Sequence, residues 1–191
     1  MYRPVRLLSF ASLLFFLANP ATAQESAAQS YTHIRTTKAQ VRAVMSLGLK
    51  VSPTLRAIVE QIESSDVIAY IDTDLLTAPN VAGQSQFVNA AGGKRYVRVL
   101  IDTRFNGTML LGLLGHELQH VAEIAGEPSI VDHRSLAAFY RRSGFRSPAG
   151  GTNRFESAAA IVAGRRVMND AMQHASDVNA AAVRAKPGEH E

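Results

Sequence analysis

Residues His116-Glu117-Leu118-Gln119-His120 spell a complete H-E-x-x-H. On a helix, imidazoles at i and i+4 differ by about 40° around the axis and about 6 Å along it, so both can reach one cation. Glu117, turned about 100° from His116, flanks that position, where a carboxylate can take a proton from water and later deliver it to a leaving group. Zinc suits imidazole and carboxylate donors, and as a Lewis acid it brings the pKa of its water near 7. Leu110, Leu111, Leu113, Leu114, Leu118, Val121, Ala122 and Ile124 cover nearly the whole circumference, which marks a buried helix. Unpaired His and Glu side chains would be costly there, and a metal removes that cost; the bland alternative is histidines satisfied by hydrogen bonds alone. Gly112 and Gly115 each cost about 1 kcal/mol in a helix interior relative to Ala, which predicts close approach of another element or of a cleft.

A catalytic zinc needs a third protein ligand and an open position. The longer H-E-x-x-H-x-x-G-x-x-H form is absent, because Glu123 and Gly126 stand at its Gly and third His. Three candidates remain. Glu156 begins an apolar helix, expected from about Phe155 to Ala175, that can pack on the first; its other role would be a favourable charge in the first turn. Glu123 shares a face with His120 but lies too far along the axis for easy reach, which suits a partner of the ligand better. Asp132 and His133 form the third option, with helix capping as the plainer role of Asp132. Tyr140, His133, Asn153 and Arg154 are weaker candidates for steadying an oxyanion.

These residues need a scaffold. Val41, Val44, Met45 and Leu47 predict a short helix from Lys38 to Leu47 that Gly48 ends. Ser52 can cap a second helix with Pro53 in its first turn and Leu55, Ile58, Val59 and Ile62 on one face. Three β-prone runs follow at residues 67–71, 86–88 and 96–101, with Gly92-Gly93 inviting a hairpin between the last two. The H-E-x-x-H helix spans Met109 to Ala125, and another is expected from about Ser135 to Arg142. The fold class is α+β, with a small, mainly antiparallel sheet beside packed helices.

Residues 1–23 carry Arg3 and Arg6, an apolar stretch from Leu7 to Ala18, and Ala21-Thr22-Ala23, the layout of a secretory signal with an A-x-A cleavage site. The stretch is shorter than the roughly 20 residues a membrane anchor needs. Residues 24–37 read as a flexible lead-in, 38–183 as one metal-binding domain, and 184–191 as a disordered tail. Of the formal net charge of +4, two units belong to the arginines of the signal, so the rest carries no electrostatic footprint for nucleic acid. With no cysteine, disulfides and thiolate metal sites are excluded. The expected location is the periplasm or the exterior.

Runs of β-structure, then the H-E-x-x-H helix, then a later helix offering Glu resemble the zincin metallopeptidases, and among them the gluzincin group. Gly115 to Ala125 together with Arg154-Phe155-Glu156-Ser157-Ala158-Ala159 is also similar to small exported bacterial proteins with an H-E-L-Q-H core. The resemblance implies His116, His120 and Glu156 as zinc ligands and Glu117 as general base. Ala160 stands where the familiar pattern has a further carboxylate. It also implies that an edge strand at Arg95 to Thr103 binds an extended peptide substrate whose amide is hydrolysed. The competing expectation is a non-catalytic, metal-stabilised binding domain of the cell envelope.

Overall fold

The computed structural model describes residues 31–78, 80–147 and 155–185. The expected signal segment, residues 24–30 of the lead-in, Asn153, Arg154 and residues 186–191 lie outside the described residues.

Short strand β1 (Ile34–Arg35) precedes helices α1 (Ala39–Val51) and α2 (Pro53–Glu63). Ser52 joins the two helices: its Oγ accepts from the Leu55 amide at 3.0 Å and donates to Asp170 Oδ2 at 2.6 Å. Gly48 does not end α1, as had been expected. It is buried inside it, because a Cβ there would run into the Leu111 and Leu55 side chains. Ile34 and Arg35, expected within the lead-in, pair with the sheet.

Strands β2 (Val67–Asp74), β3 (Gly83–Ala91) and β4 (Lys94–Asp102) complete a sheet of order β1-β2-β4-β3. The expected hairpin forms between β3 and β4, with Gly92 and Gly93 at φ +58° and +72°, the left-handed conformation its two-residue turn requires. The sheet is nevertheless not mainly antiparallel. β1–β2 and β2–β4 pair in parallel, and β3–β4 alone is antiparallel. β3 lies beyond β4 as seen from β2, and the hairpin returns the chain between them, so β4 lies alongside β2 in the same direction. Alternating apolar residues bury one face equally well in either direction, and the local pattern holds no record of this crossing. One consequence is that β4 is interior and β3 is the edge, which corrects the expected edge strand at Arg95 to Thr103.

Val67, Ala69, Ile71, Phe87, Val97, Val99 and Ile101 supply the buried face of the sheet. On it lies α3 (Gly107–Gly126), the central helix, buried among the sheet, α2 and α5 (Ala158–Ala185). Helix α4 (His133–Ser143) follows, opened by a capping box between Asp132 and Ser135. Strands β5 (Phe145–Arg146) and β6 (Phe155–Glu156) form a small antiparallel pair. Glu156 therefore precedes α5 rather than beginning it: Ser157 Oγ accepts from the Ala160 amide at 3.0 Å, and this cap leaves Glu156 extended. α5 runs to Ala185, through Arg184 and Ala185 of the expected tail.

The far end of α3 is fixed by one cation. Arg95 on β4 is 4% exposed and donates to the carbonyls of Ile124, Ala125, Glu127 and Ile130, while Asp66 takes its Nε and Nη2 at 2.8 and 2.6 Å. These carbonyls include the unsatisfied end of the helix, and the positive charge suits its negative pole. Hydrogen bonding from Arg95 outweighs the other influences on Asp66 and holds its carboxyl below the ordinary range. Arg95→Met should therefore lower the unfolding free energy by roughly 3 kcal/mol, measured by urea denaturation; an unchanged midpoint would contradict this role.

Candidate metal centre

Both histidines of α3 point the same way. The His116 and His120 ring centroids are 5.1 Å apart with planes at 80°, and the Glu156 carboxylate spans them: Oε2 lies 3.3 Å from His116 Nε2 and Oε1 3.2 Å from His120 Nε2. One ligand atom from each of the three residues lies within 4.8 Å of the others, so His116, His120 and Glu156 form a cluster that can hold a metal ion. Two imidazole nitrogens and a carboxylate oxygen are a donor set that suits zinc.

Close helix packing makes this convergence possible. Where α3 and α5 cross, a Cβ on Gly164 would meet the Gly112 carbonyl at 2.9 Å and His116 Cβ at 3.0 Å, and a Cβ on Gly115 would meet Val167 Cγ2 at 2.7 Å. Gly112 and Gly115 thus admit the approach that their cost predicted. Upstream of α5, the Phe155 ring stacks on Tyr140 with centroids 5.9 Å apart, which steadies β6 and hence Glu156.

Glu123 is not among the three converging ligands; it faces the other nitrogen of His120. Its Oε2 lies 3.1 Å from His120 Nδ1 and accepts from Tyr140 Oη at 2.8 Å, and its Oε1 accepts from Ser157 Oγ. Tyr140 Oη is also 2.9 Å from Nδ1. The ring is thereby oriented with Nε2 toward Glu156, the arrangement that outer partners give to metal-ligating histidines. Asp132 caps α4, its Oδ1 accepting from the Ser135 amide at 2.7 Å, and His133 is exposed, edge-on to Phe87 at 6.1 Å. Neither reaches the centre. Tyr140 is committed to Glu123 and His120, and Asn153 and Arg154 lie outside the described residues.

Glu117, 3% exposed, lines the same cavity as the triad. Its Oε2 accepts from Ser85 Oγ on β3 at 2.8 Å, and the same hydroxyl is 3.1 Å from its carbonyl oxygen. A Cβ on Gly83 would meet Glu117 Oε1 at 2.5 Å, so the edge strand leaves room for the carboxylate by having no side chain there. Ser85 and Gly83 were missed in the sequence. A glycine entering a β-prone run signals close approach, yet nothing nearby in sequence says what approaches.

The electrostatics follow from this crowding. Burial pushes the Glu117 carboxyl above the ordinary carboxylate range, partly opposed by His120 and His116. Burial would lower His120, but hydrogen bonds to Glu123 and Glu156 prevail and push it up to about 10. Burial would raise Glu156 and Glu123, yet bonds from His116 and His120 hold Glu156 far below its ordinary value, and His120 and Ser157 lower Glu123. Burial and the neighbouring Glu123 raise the Tyr140 hydroxyl, which stays protonated.

No protein-family model matches the chain, and no curated protein or solved structure matches it either. The centre is read from its own geometry.

Because His120 is protonated below about pH 10 without a metal, binding an ion at its Nε2 near pH 8 must expel that proton. Calorimetric zinc titrations in buffers of different ionisation enthalpy should show release of about one proton per ion; no release would exclude His120 as a ligand. By elemental analysis, Glu156→Ala should empty the site, whereas Glu123→Ala should keep it and weaken zinc binding about 10- to 100-fold. The reverse ranking would make Glu123 the ligand.

Proposed function

We propose that the protein is an exported, zincin-like, zinc-dependent metallohydrolase that cleaves amide bonds of peptides. The observation that carries this reading is the position of Glu117: a buried carboxylate with raised basicity, held by Ser85, shares an open cavity of about 460 Å³ with His116, His120 and Glu156. A purely structural metal site has its positions closed by protein, whereas this one opens onto a pocket.

The residues divide the work. His116, His120 and Glu156 would hold the ion, and Glu123 with Tyr140 fixes the ring of His120. When bound, zinc supplies Lewis acidity toward water and toward a substrate carbonyl. Glu117 takes a proton from water as the water oxygen attacks the carbonyl carbon, and passes it to the leaving nitrogen as the amide bond breaks. Gly83 and Ser85 keep the carboxylate in place for both transfers.

The edge strand supports a peptide as substrate. β3 pairs with β4 on one side, no described strand pairs with the other, and Val81 to Ser85 line the cavity. An extended chain can add to such an edge by main-chain hydrogen bonds, which would bring a backbone carbonyl beside the centre. Export is supported by the charged, apolar and A-x-A layout of residues 1–23. Among the described residues no helix is long and apolar enough to cross a membrane.

Zinc-loaded protein should cleave members of a mixed peptide library, read by mass spectrometry. Glu117→Gln should lose at least about 100-fold in rate with zinc stoichiometry intact. Gly83→Ala, which displaces the carboxylate without removing it, should lose about 10- to 100-fold. Absence of turnover in the zinc-loaded wild type would defeat the proposal.

A further inference from the structure

The pocket carries a group that neither the metal nor the proton transfer uses. Arg165 on α5 lines it, is exposed, and among the described residues makes no hydrogen bond or ion pair. It follows Gly164, the residue packed against His116, so its backbone lies beside the centre. The carboxylates lining the pocket, Glu117 and Glu156, already have partners in Ser85 and the two histidines. Around Arg165 the wall is apolar: Ile161 and Met168 one turn to either side on α5, with Met109 and Leu113 on α3. On α5 the acid nearest to it in sequence, Asp170, is bonded to Ser52 and Thr54.

A guanidinium that has no partner among the described residues, beside apolar side chains of the same pocket, fits a ligand that brings both a carboxylate and an apolar group. We propose that Arg165 is a specificity-determining residue that receives the free C-terminal carboxylate of the substrate, while the apolar side chain of that terminal residue lies against Met109, Leu113, Ile161 and Met168. An acidic side chain offers the same charge but would leave this apolar wall unfilled, so the terminal carboxylate is the better match. The site would then remove or release an apolar C-terminal residue rather than cut within long chains. This inference rests on the hydrolase reading for its consequence, although the carboxylate preference itself is a property of Arg165.

Binding of N-acetyl-phenylalanine, its C-terminal amide, and N-acetyl-aspartic acid α-amide is measured by NMR titration on metal-free and zinc-loaded protein, with Arg165→Met beside the wild type. Arg165 is exposed, and Met keeps an apolar stem there, so the variant preserves the fold and its zinc affinity. The free acid should bind the wild type at least about tenfold more tightly than its amide, in both metal states, and the preference should vanish in Arg165→Met. Equal binding of acid and amide would overturn the proposal. So would a preference that survives in Arg165→Met, which would place the carboxylate on the metal, or tighter binding of the aspartyl amide, which would assign Arg165 to acidic side chains. An Arg165-dependent preference in a protein that takes up no zinc would sink the hydrolase reading and leave the carboxylate pocket standing.

Discussion

Two imidazoles and three carboxylates share one largely buried cleft, and such a group is stable only if its negative charges face positive ones. Glu156 sits between His116 and His120, Glu123 sits behind His120, and Glu117 lies beside both. In the metal-free protein the proton on His120 supplies positive charge to both Glu123 and Glu156, and those two carboxylates hold it there. A divalent ion among His116, His120 and Glu156 would bring twice that charge to the same place. The site is therefore built around a cation, and its outer partners, Tyr140 and Ser157, saturate Glu123 so that the remaining demand for positive charge falls on the inner face.

Such a cluster needs a stiff frame, because a shift of one helix by an ångström would separate Glu156 from the rings. Both ends of the arrangement are tied to the core. The glycines at the α3–α5 crossing bring the two backbones into contact, Arg95 closes the far end of α3 against the sheet, and Ser52 links Asp170 of α5 to the junction of α1 and α2. On the cleft side of α3 the edge strand meets Glu117 through Ser85 and Gly83. The stable parts of the fold hold the ligands, and the open part faces the space a substrate would fill.

Much of this was legible in the residues themselves. The spacing of His116 and His120 on a helix apolar nearly all round placed both rings on one side, and the costly glycines Gly112 and Gly115 marked a close approach, which α5 makes. Ser52 and Pro53 announced the start of α2, and Gly92-Gly93 the hairpin. Other features depend on crossings that no local pattern encodes. The parallel pairing of β2 with β4 follows from β3 lying beyond β4, and with it the identity of the edge strand. Gly48 looked like a helix end because glycine weakens helices, but the side chains of Leu111 and Leu55 fill the space it leaves. Glu156 looked helical because its neighbours are, whereas the cap at Ser157 delays the helix by two residues and aims the carboxylate at the rings. Ser85 could not be read at all, since its partner belongs to a different element.

The claim on which all of this turns is that one zinc ion sits between the two rings and Glu156. Crystals of the zinc-loaded protein, with an anomalous difference map collected on either side of the zinc edge, test it most directly. The account predicts a single peak about 2.0 to 2.2 Å from Nε2 of His116, Nε2 of His120 and a carboxylate oxygen of Glu156, with an open position toward the cavity. A peak elsewhere, or none between these three side chains at full zinc loading, would contradict it.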